Sequence, residues 1–254
     1  MIKLKCEISS NDVDCFYNLK PSALYMMLQE AAMKAVDDCG NDSLSLKEKG
    51  LDWVIAKMQV QIYKTPKFHD KIEIQTYPGD DMGIFYPRYW QIANEKGEII
   101  VKAASIWGLL EIESRRLCMK KDAINKLPAE HAEGELPLPR KIDVKPVTKV
   151  DTRKIYFSEI DLNGHLNNCS YIKLLQDLHD VEFYETHEIV DIFTSYVKEL
   201  KVGNVIDIYT NLDGDTEYVE AKIGNDLCFQ AQIKYRNKSE RDLCKVSFLN
   251  NQII

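Results

Sequence analysis

Leu24-Tyr25-Met26-Met27-Leu28-Gln29-Glu30 returns later in the chain as Tyr171-Ile172-Lys173-Leu174-Leu175-Gln176-Asp177. Around the first copy, Leu24, Met27, Leu28, Ala31 and Ala35 recur at helical spacing, and Gly40 supplies a stop. Pro21 suits the first helical position, where its missing N–H would be unpaired anyway. Around the second copy, Tyr171, Leu174, Leu175, Leu178 and Val181 lie on one helical face. A second pair of segments follows each helix: Lys67-Phe-His-Asp-Lys-Ile-Glu-Ile-Gln-Thr76 lines up with Lys201-Val-Gly-Asn-Val-Ile-Asp-Ile-Tyr-Thr210.

Alternating segments surround these anchors. In the first half they are Val54 to Ile62, Lys71 to Tyr77, Ile84 to Ala93 and Ile99 to Ile112, with Asn94 to Gly97 as a hairpin turn. In the second they are Ile192 to Leu200, Val205 to Leu212, Tyr218 to Ile223 and Leu227 to Tyr235, with Asp213-Gly214-Asp215 as a turn. Each half therefore reads as one helix covering an antiparallel sheet, an α+β unit. Two copies in one chain predict a pseudo-twofold pair, equivalent to a homodimer joined by a linker. The boundaries are 1–125 for the first unit, 126–150 for the linker and 151–254 for the second. Pro128, Gly134, Pro137, Pro139 and Pro146 punctuate the linker.

Composition narrows the class. An apolar fraction of 45% and a charged fraction of 29% are those of a folded soluble protein. With no membrane-length apolar run and no signal-peptide core at Met1 to Glu7, a cytoplasmic location is expected. The seven cysteines are scattered and never spaced Cys-x-x-Cys, which argues against disulfides and structural zinc. The formal net charge of −7 disfavours nucleic acid as the main partner. Between Arg140 and Lys154, six basic residues stand against two acidic ones. That stretch reads either as a solvated linker or as a docking patch for an acidic partner.

The chemistry concentrates in Asp161-Leu-Asn163-Gly-His165-Leu-Asn167-Asn168, just before the second helix. If the segment is extended, Asp161, Asn163, His165 and Asn167 share one side. The helix start would offer N–H groups and a favourable dipole to a developing oxyanion. Glu199 shares a strand face with Val197, Ser195 and Phe193, which reads as inward. Burial would raise its pKa toward that of a general base. Each residue alone has a plainer reading: a helix cap, a structural histidine, a strand-end glutamate. It is their combined spacing that favours function. Cys169 lies inside the run with no base beside it and reads as packing.

The run Asp161-x-Asn163-x-His165-x-Asn167-Asn168-x-x-Tyr171 resembles the signature of the hotdog thioesterase superfamily. With the internal repeat and Tyr196-Val-Lys-Glu199-Leu-Lys-Val-Gly203, nearly the whole chain resembles the acyl-acyl-carrier-protein thioesterases of plants and bacteria. The resemblance implies two tandem hotdog domains and hydrolysis of fatty acyl-carrier-protein thioesters without cofactor or metal. It also implies acyl carrier protein as the partner. A homodimer of the whole chain is also compatible with the sequence, while no nucleic-acid or membrane partner is implied. Catalytic roles fall on Asp161, Asn163, His165 and Glu199, with Asn167 and Asn168 beside the substrate. Many family members carry Cys after that Glu, where this chain has Leu200, so a cysteine nucleophile there is ruled out. Aligned on the repeat, Asp161 corresponds to Asp14, Asn163 to Phe16, His165 to Asn18, Asn168 to Pro21 and Glu199 to Thr65. The first half is thus expected to be catalytically silent and, by the resemblance, to shape the acyl pocket. Met26, Met27, Met33 and Met58 suit such a pocket, although core packing explains them equally well. An acyl-coenzyme A thioesterase, a hotdog hydratase or dehydratase, and a non-catalytic acyl-binding module remain rival readings.

Overall fold

The computed structural model describes residues 1–120, 123–143 and 145–238. Residues 239–254 of the second unit, Cys244 among them, lie outside the described residues. The first half runs β1 (Ile2–Glu7), α1 (Pro21–Asp37), α2 (Ser43–Glu48), β2 (Leu51–Ile62), β3 (Lys71–Pro78), β4 (Phe85–Asn94) and β5 (Ile99–Glu111). The second runs β6 (Thr148–Lys154), a 3₁₀ turn (Phe157–Glu159), α3 (Asn168–Gln176), α4 (Val181–Thr186), β7 (His187–Tyr196), β8 (Val205–Asp213), β9 (Thr216–Ile223) and β10 (Asp226–Asn237).

All ten strands form one antiparallel sheet in the order β1-β3-β4-β5-β2-β7-β10-β9-β8-β6. Read inward from either edge, the two halves repeat one topology, and they meet where Lys57–Gln61 of β2 pairs with Asp191–Ser195 of β7. Side chains reinforce this seam. Gln59 Nε2 donates to both carboxylate oxygens of Asp191 at 3.1 and 2.9 Å, and Thr194 Oγ1 donates to the Met58 carbonyl at 3.2 Å. This is the hotdog-type pairing that the repeat implied, with both sheets in one chain.

The core lies between the sheet and α1 and α3. Leu24, Tyr25, Leu28 and Ala31 of α1 and Ile172, Leu174 and Leu175 of α3 are buried against Val60, Ile92, Ile192 and Ile233. Each such aliphatic side chain contributes about 1.5–3 kcal/mol on burial. Trp90 Nε1 donates to the Leu28 carbonyl at 2.9 Å, tethering α1 to the sheet, and Gln176 Oε1 accepts from the Ser22 N–H at 2.9 Å, joining the helices. Among the described residues no helix is long and apolar enough to cross a membrane.

Three expectations change. The second helix ends at Gln176 instead of continuing through Leu178 to Val181, because Asp180 caps a separate helix by accepting from the Phe183 N–H at 3.1 Å. The edge strands β1 and β6 are also present; β1 alternates apolar and charged residues over its short length, whereas β6 is almost wholly polar. The stretch after β5 is not a solvated linker. Leu127, Leu136 and Ile142 are buried, the Glu130 N–H donates to the Pro78 carbonyl at 2.9 Å, and Lys57 donates to the Arg140 carbonyl. Three of the six basic residues of the run are paired within the chain: Lys149 with Asp207 at 2.7 Å, Lys145 with Asp213 at 3.7 Å, and Arg153 with Glu159.

Candidate active site

Residues 160–167 form a tight loop and not the extended run that the alternation suggested. Asp161 Oδ1 accepts from the backbone N–H of Asn163 at 2.9 Å and of His165 at 3.2 Å. The Asp161 N–H donates to the His165 carbonyl at 2.8 Å, and Gly164, at φ +78, permits the turn. The carboxylate is therefore the hub of the loop. The first half repeats this device: Asp14 Oδ1 accepts from Phe16 and Asn18 N–H, both at 2.9 Å. Leu166 N–H donates to the Leu200 carbonyl at 2.7 Å, and Leu19 N–H to the Pro66 carbonyl at 2.8 Å. Glu199 and Thr65 thus occupy equivalent places, and so do His165 and Asn18.

At the start of α3 two backbone amides are already occupied. Asn167 Oδ1 accepts from the Cys169 N–H at 2.8 Å, and the Asn167 carbonyl accepts from the Ser170 N–H at 2.8 Å. Asn167 is a helix cap, and Asn168 is the first helical residue.

Glu199 also differs from its expected setting. The ladder of β7 ends at Tyr196, because the successive N–H groups of Val197 and Lys198 both donate to the Cys228 carbonyl, at 2.9 and 3.0 Å. Val197 is exposed, and Glu199 lies beyond the strand with its side chain 35% accessible. Its Oε2 lies 3.3 Å from His165 Nε2 and contacts the Arg115 guanidinium. The structure thus brings His165 and Glu199 together across 34 residues of sequence, as the spacing suggested, but on an open rim. Burial, reinforced by the positive charge of Arg115, lowers the His165 pKa below the ordinary 6.5, while Asp161 acts in the opposite direction. Asn163 Oδ1 is buried with no hydrogen-bond partner among the described residues.

Leu200 is fully buried in the core. Cys169 is buried too, its Sγ 3.7 Å from Gln29 Oε1, and burial pushes its thiol up to about 12. Cys169→Ser is accordingly expected to retain kcat within about twofold, and alkylating agents at pH 8 should leave turnover intact; a loss of activity tracking alkylation of Cys169 would contradict this.

The first half holds a small apolar cleft, open to solvent, lined by Ala32, Met33, Val36, Trp53, Tyr86 and Trp107, with Arg88 in its wall. Met33 lines it, whereas Met58 and Met27 pack in or against the main core and Met26 is exposed. Burial pushes the Arg88 guanidinium down to about 10, still charged at neutral pH, and its Nη1 donates to Thr76 Oγ1 at 3.2 Å. Asp52, adjacent to Trp53, has its pKa raised first by burial, and the charge of Asp161 acts in the same direction. Arg115, Arg88 and Asp52 carried no sequence signal, since their roles depend on the approach of distant segments.

Comparison with known proteins agrees with this architecture. The model of the acyl-ACP thioesterase N-terminal domain matches residues 1–127, and that of the C-terminal domain matches residues 144–245. The chain is 26% identical over 232 residues to oleoyl-acyl carrier protein thioesterase 2, chloroplastic, of Arabidopsis thaliana, covering 84% of this chain and 63% of that protein. It is 28% identical over 210 residues to a chloroplastic palmitoyl-acyl carrier protein thioesterase of Cuphea hookeriana, covering 73% and 48%. The chain thus spans less than two thirds of the length of these plant proteins. Among solved structures, an acyl-ACP thioesterase from Bacteroides thetaiotaomicron superposes with a TM-score of 0.80 at 23% identity, covering 92% of this chain and 97% of that one. The 12:0-ACP thioesterase from Umbellularia californica gives 0.80 at 19%, covering 93% and 97%. These likenesses show the fold, while the two domain models, in their order along the chain, carry the assignment: this protein belongs to the acyl-ACP thioesterase family.

Proposed function

We propose that the protein hydrolyses fatty acyl thioesters of acyl carrier protein, releasing free fatty acid and the carrier thiol. The observation that carries this is the pairing of His165 with Glu199 on a loop whose twin in the first half has Asn18 and Thr65 instead. In this reading residues 151–254 are catalytic, residues 126–150 connect the two units, and residues 1–125 hold the acyl chain, with Met33, Trp53 and Trp107 lining its cleft.

The water oxygen attacks the thioester carbonyl carbon, and the His165–Glu199 pair takes its proton. Asn163, which makes no hydrogen bond through its amide to another described residue, orients the water and donates to the developing oxyanion. Collapse breaks the carbon–sulfur bond, and the proton held by the pair passes to the departing thiolate. Asp161 holds the loop through Oδ1, which accepts two N–H groups, and the proton transfer is assigned to His165 and Glu199. Asn167 and Asn168 place α3 beside the substrate.

The pH dependence follows from His165. A neutral imidazole is the competent form, so kcat/KM falls as pH drops through its pKa. Because that pKa is lowered, the acid limb is expected below pH 6.5. A limb centred above pH 7 would contradict this role.

One assay separates the readings: thiol release from dodecanoyl-acyl carrier protein, dodecanoyl-coenzyme A and a β-hydroxyacyl thioester. The proposal expects the highest kcat/KM on the carrier substrate. Preference for the coenzyme A ester identifies an acyl-coenzyme A thioesterase. Dehydration of the hydroxy ester identifies a dehydratase, and binding without thiol release a non-catalytic module.

A further inference from the structure

Arg115 belongs to the half that lacks the His–Glu pair. It sits in the turn after β5, closed by the Arg115 N–H to the Glu111 carbonyl at 2.9 Å and the Glu111 N–H to the Arg116 carbonyl at 2.8 Å. Its backbone has φ +56, a left-handed conformation that a long side chain seldom adopts. From there the guanidinium crosses to the other half and contacts the Glu199 carboxylate, which faces His165 Nε2. A second bridge runs the same way: Lys47 Nζ, on α2, donates to the Leu162 carbonyl of the catalytic loop at 3.3 Å. Both side chains of the Arg115–Glu199 pair are more than one third accessible, at 41% and 35%, and an ion pair in that setting adds little to stability. What the pair does restrict is the direction of a carboxylate that lies beyond the end of β7, outside the ladder.

We infer that Arg115 of the first half is a positioning residue for the active site of the second, its guanidinium holding the Glu199 carboxylate against His165. The charged groups around the imidazole are Glu199, Asp161 and Lys201 from the second half and Arg115 from the first, with Asp52 and Lys47 acting on Asp161 and its loop. Removing the guanidinium takes away a positive charge that disfavours the imidazolium, which raises the His165 titration midpoint, and it releases the Glu199 carboxylate from the direction that holds it against the ring, which lowers turnover. The kinetic consequence rests on the thioesterase reading, whereas the titration does not.

The test uses the full chain with Arg115→Gln and Arg115→Lys, following the His165 ring by NMR titration, the pH profile of kcat/KM on dodecanoyl-acyl carrier protein, and Tm. Arg115→Gln is expected to raise the His165 midpoint, move the acid limb up with it and lower kcat about tenfold, with KM within about twofold and Tm unchanged. Arg115→Lys keeps the charge but not the fork, so the midpoint stays near wild type and part of the turnover returns. An unmoved midpoint in Arg115→Gln overturns the inference. So does an activity loss that accompanies a fall in Tm and is equally deep in Arg115→Lys. If wild-type protein releases no thiol from any ester, the thioesterase reading fails, while the titration still decides the role of Arg115.

Discussion

Glu199→Gln and His165→Ala are each expected to lower kcat by about 10²- to 10⁴-fold, the range attached to losing a positioned proton-transfer group. Glu199→Gln keeps the shape of the side chain and a contact to Arg115 but abolishes the acceptor that balances an imidazolium. Its loss should therefore fall on kcat, with KM nearly unchanged. Both residues act on one proton, so the double variant should be little worse than either single one. A double variant whose losses multiply would separate the two residues and remove the pair as a unit. Tm should change little for Glu199→Gln, because the carboxylate sits on an accessible rim.

Asp161→Ala should behave differently. Its Oδ1 accepts two backbone N–H groups, and truncation leaves both without that partner. A loss of about 2 kcal/mol is expected, seen as a fall in Tm of about 4–8 °C for a chain of this size. kcat should fall at least a hundredfold as well, since the loop that presents His165 loosens. Asp14→Ala is the built-in control. It removes the same two-pronged acceptor from the twin loop and should lower Tm by a similar amount while leaving kcat within about twofold. If Asp14→Ala abolished turnover, the first half would not be silent. If Asp161→Ala kept its Tm, the carboxylate would not be the hub of its loop.

The comparison of these two aspartates shows how far residues can be read without coordinates. The Asp is the one polar position of the run that both halves share, and alone it carries no functional information. The fold explains why: its work is the turn, which both halves need. His165 and Glu199 stand where the other copy has Asn18 and Thr65, and the proposed chemistry rests on that difference. The alignment of the halves found that asymmetry, and the hydrogen bonds of Leu166 to Leu200 and of Leu19 to Pro66 place the compared residues in register. Alternation was a poorer guide where the backbone leaves the ladder. The run from Asp161 to Asn167 alternates like a strand but folds into a turn, and the segment from Val197 to Glu199 alternates beyond the end of one. In both places local hydrogen bonds, to the Asp161 carboxylate and to the Cys228 carbonyl, outcompete strand pairing.

Period, repeat and turn residues were enough for two copies of a helix-on-sheet unit and for the loop from Asp161 to Asn168 as the candidate site, because burial periodicity and turn chemistry are local properties written residue by residue. What surrounds that loop is not local. The edge-to-edge pairing of β2 with β7 made one sheet out of two, left Glu199 on an open rim, and brought Arg115 and Lys47 of the first half against the candidate site of the second. Those placements depend on the approach of segments far apart in sequence, so their physical cause, the registration of the two halves across the seam, exists only in the folded chain.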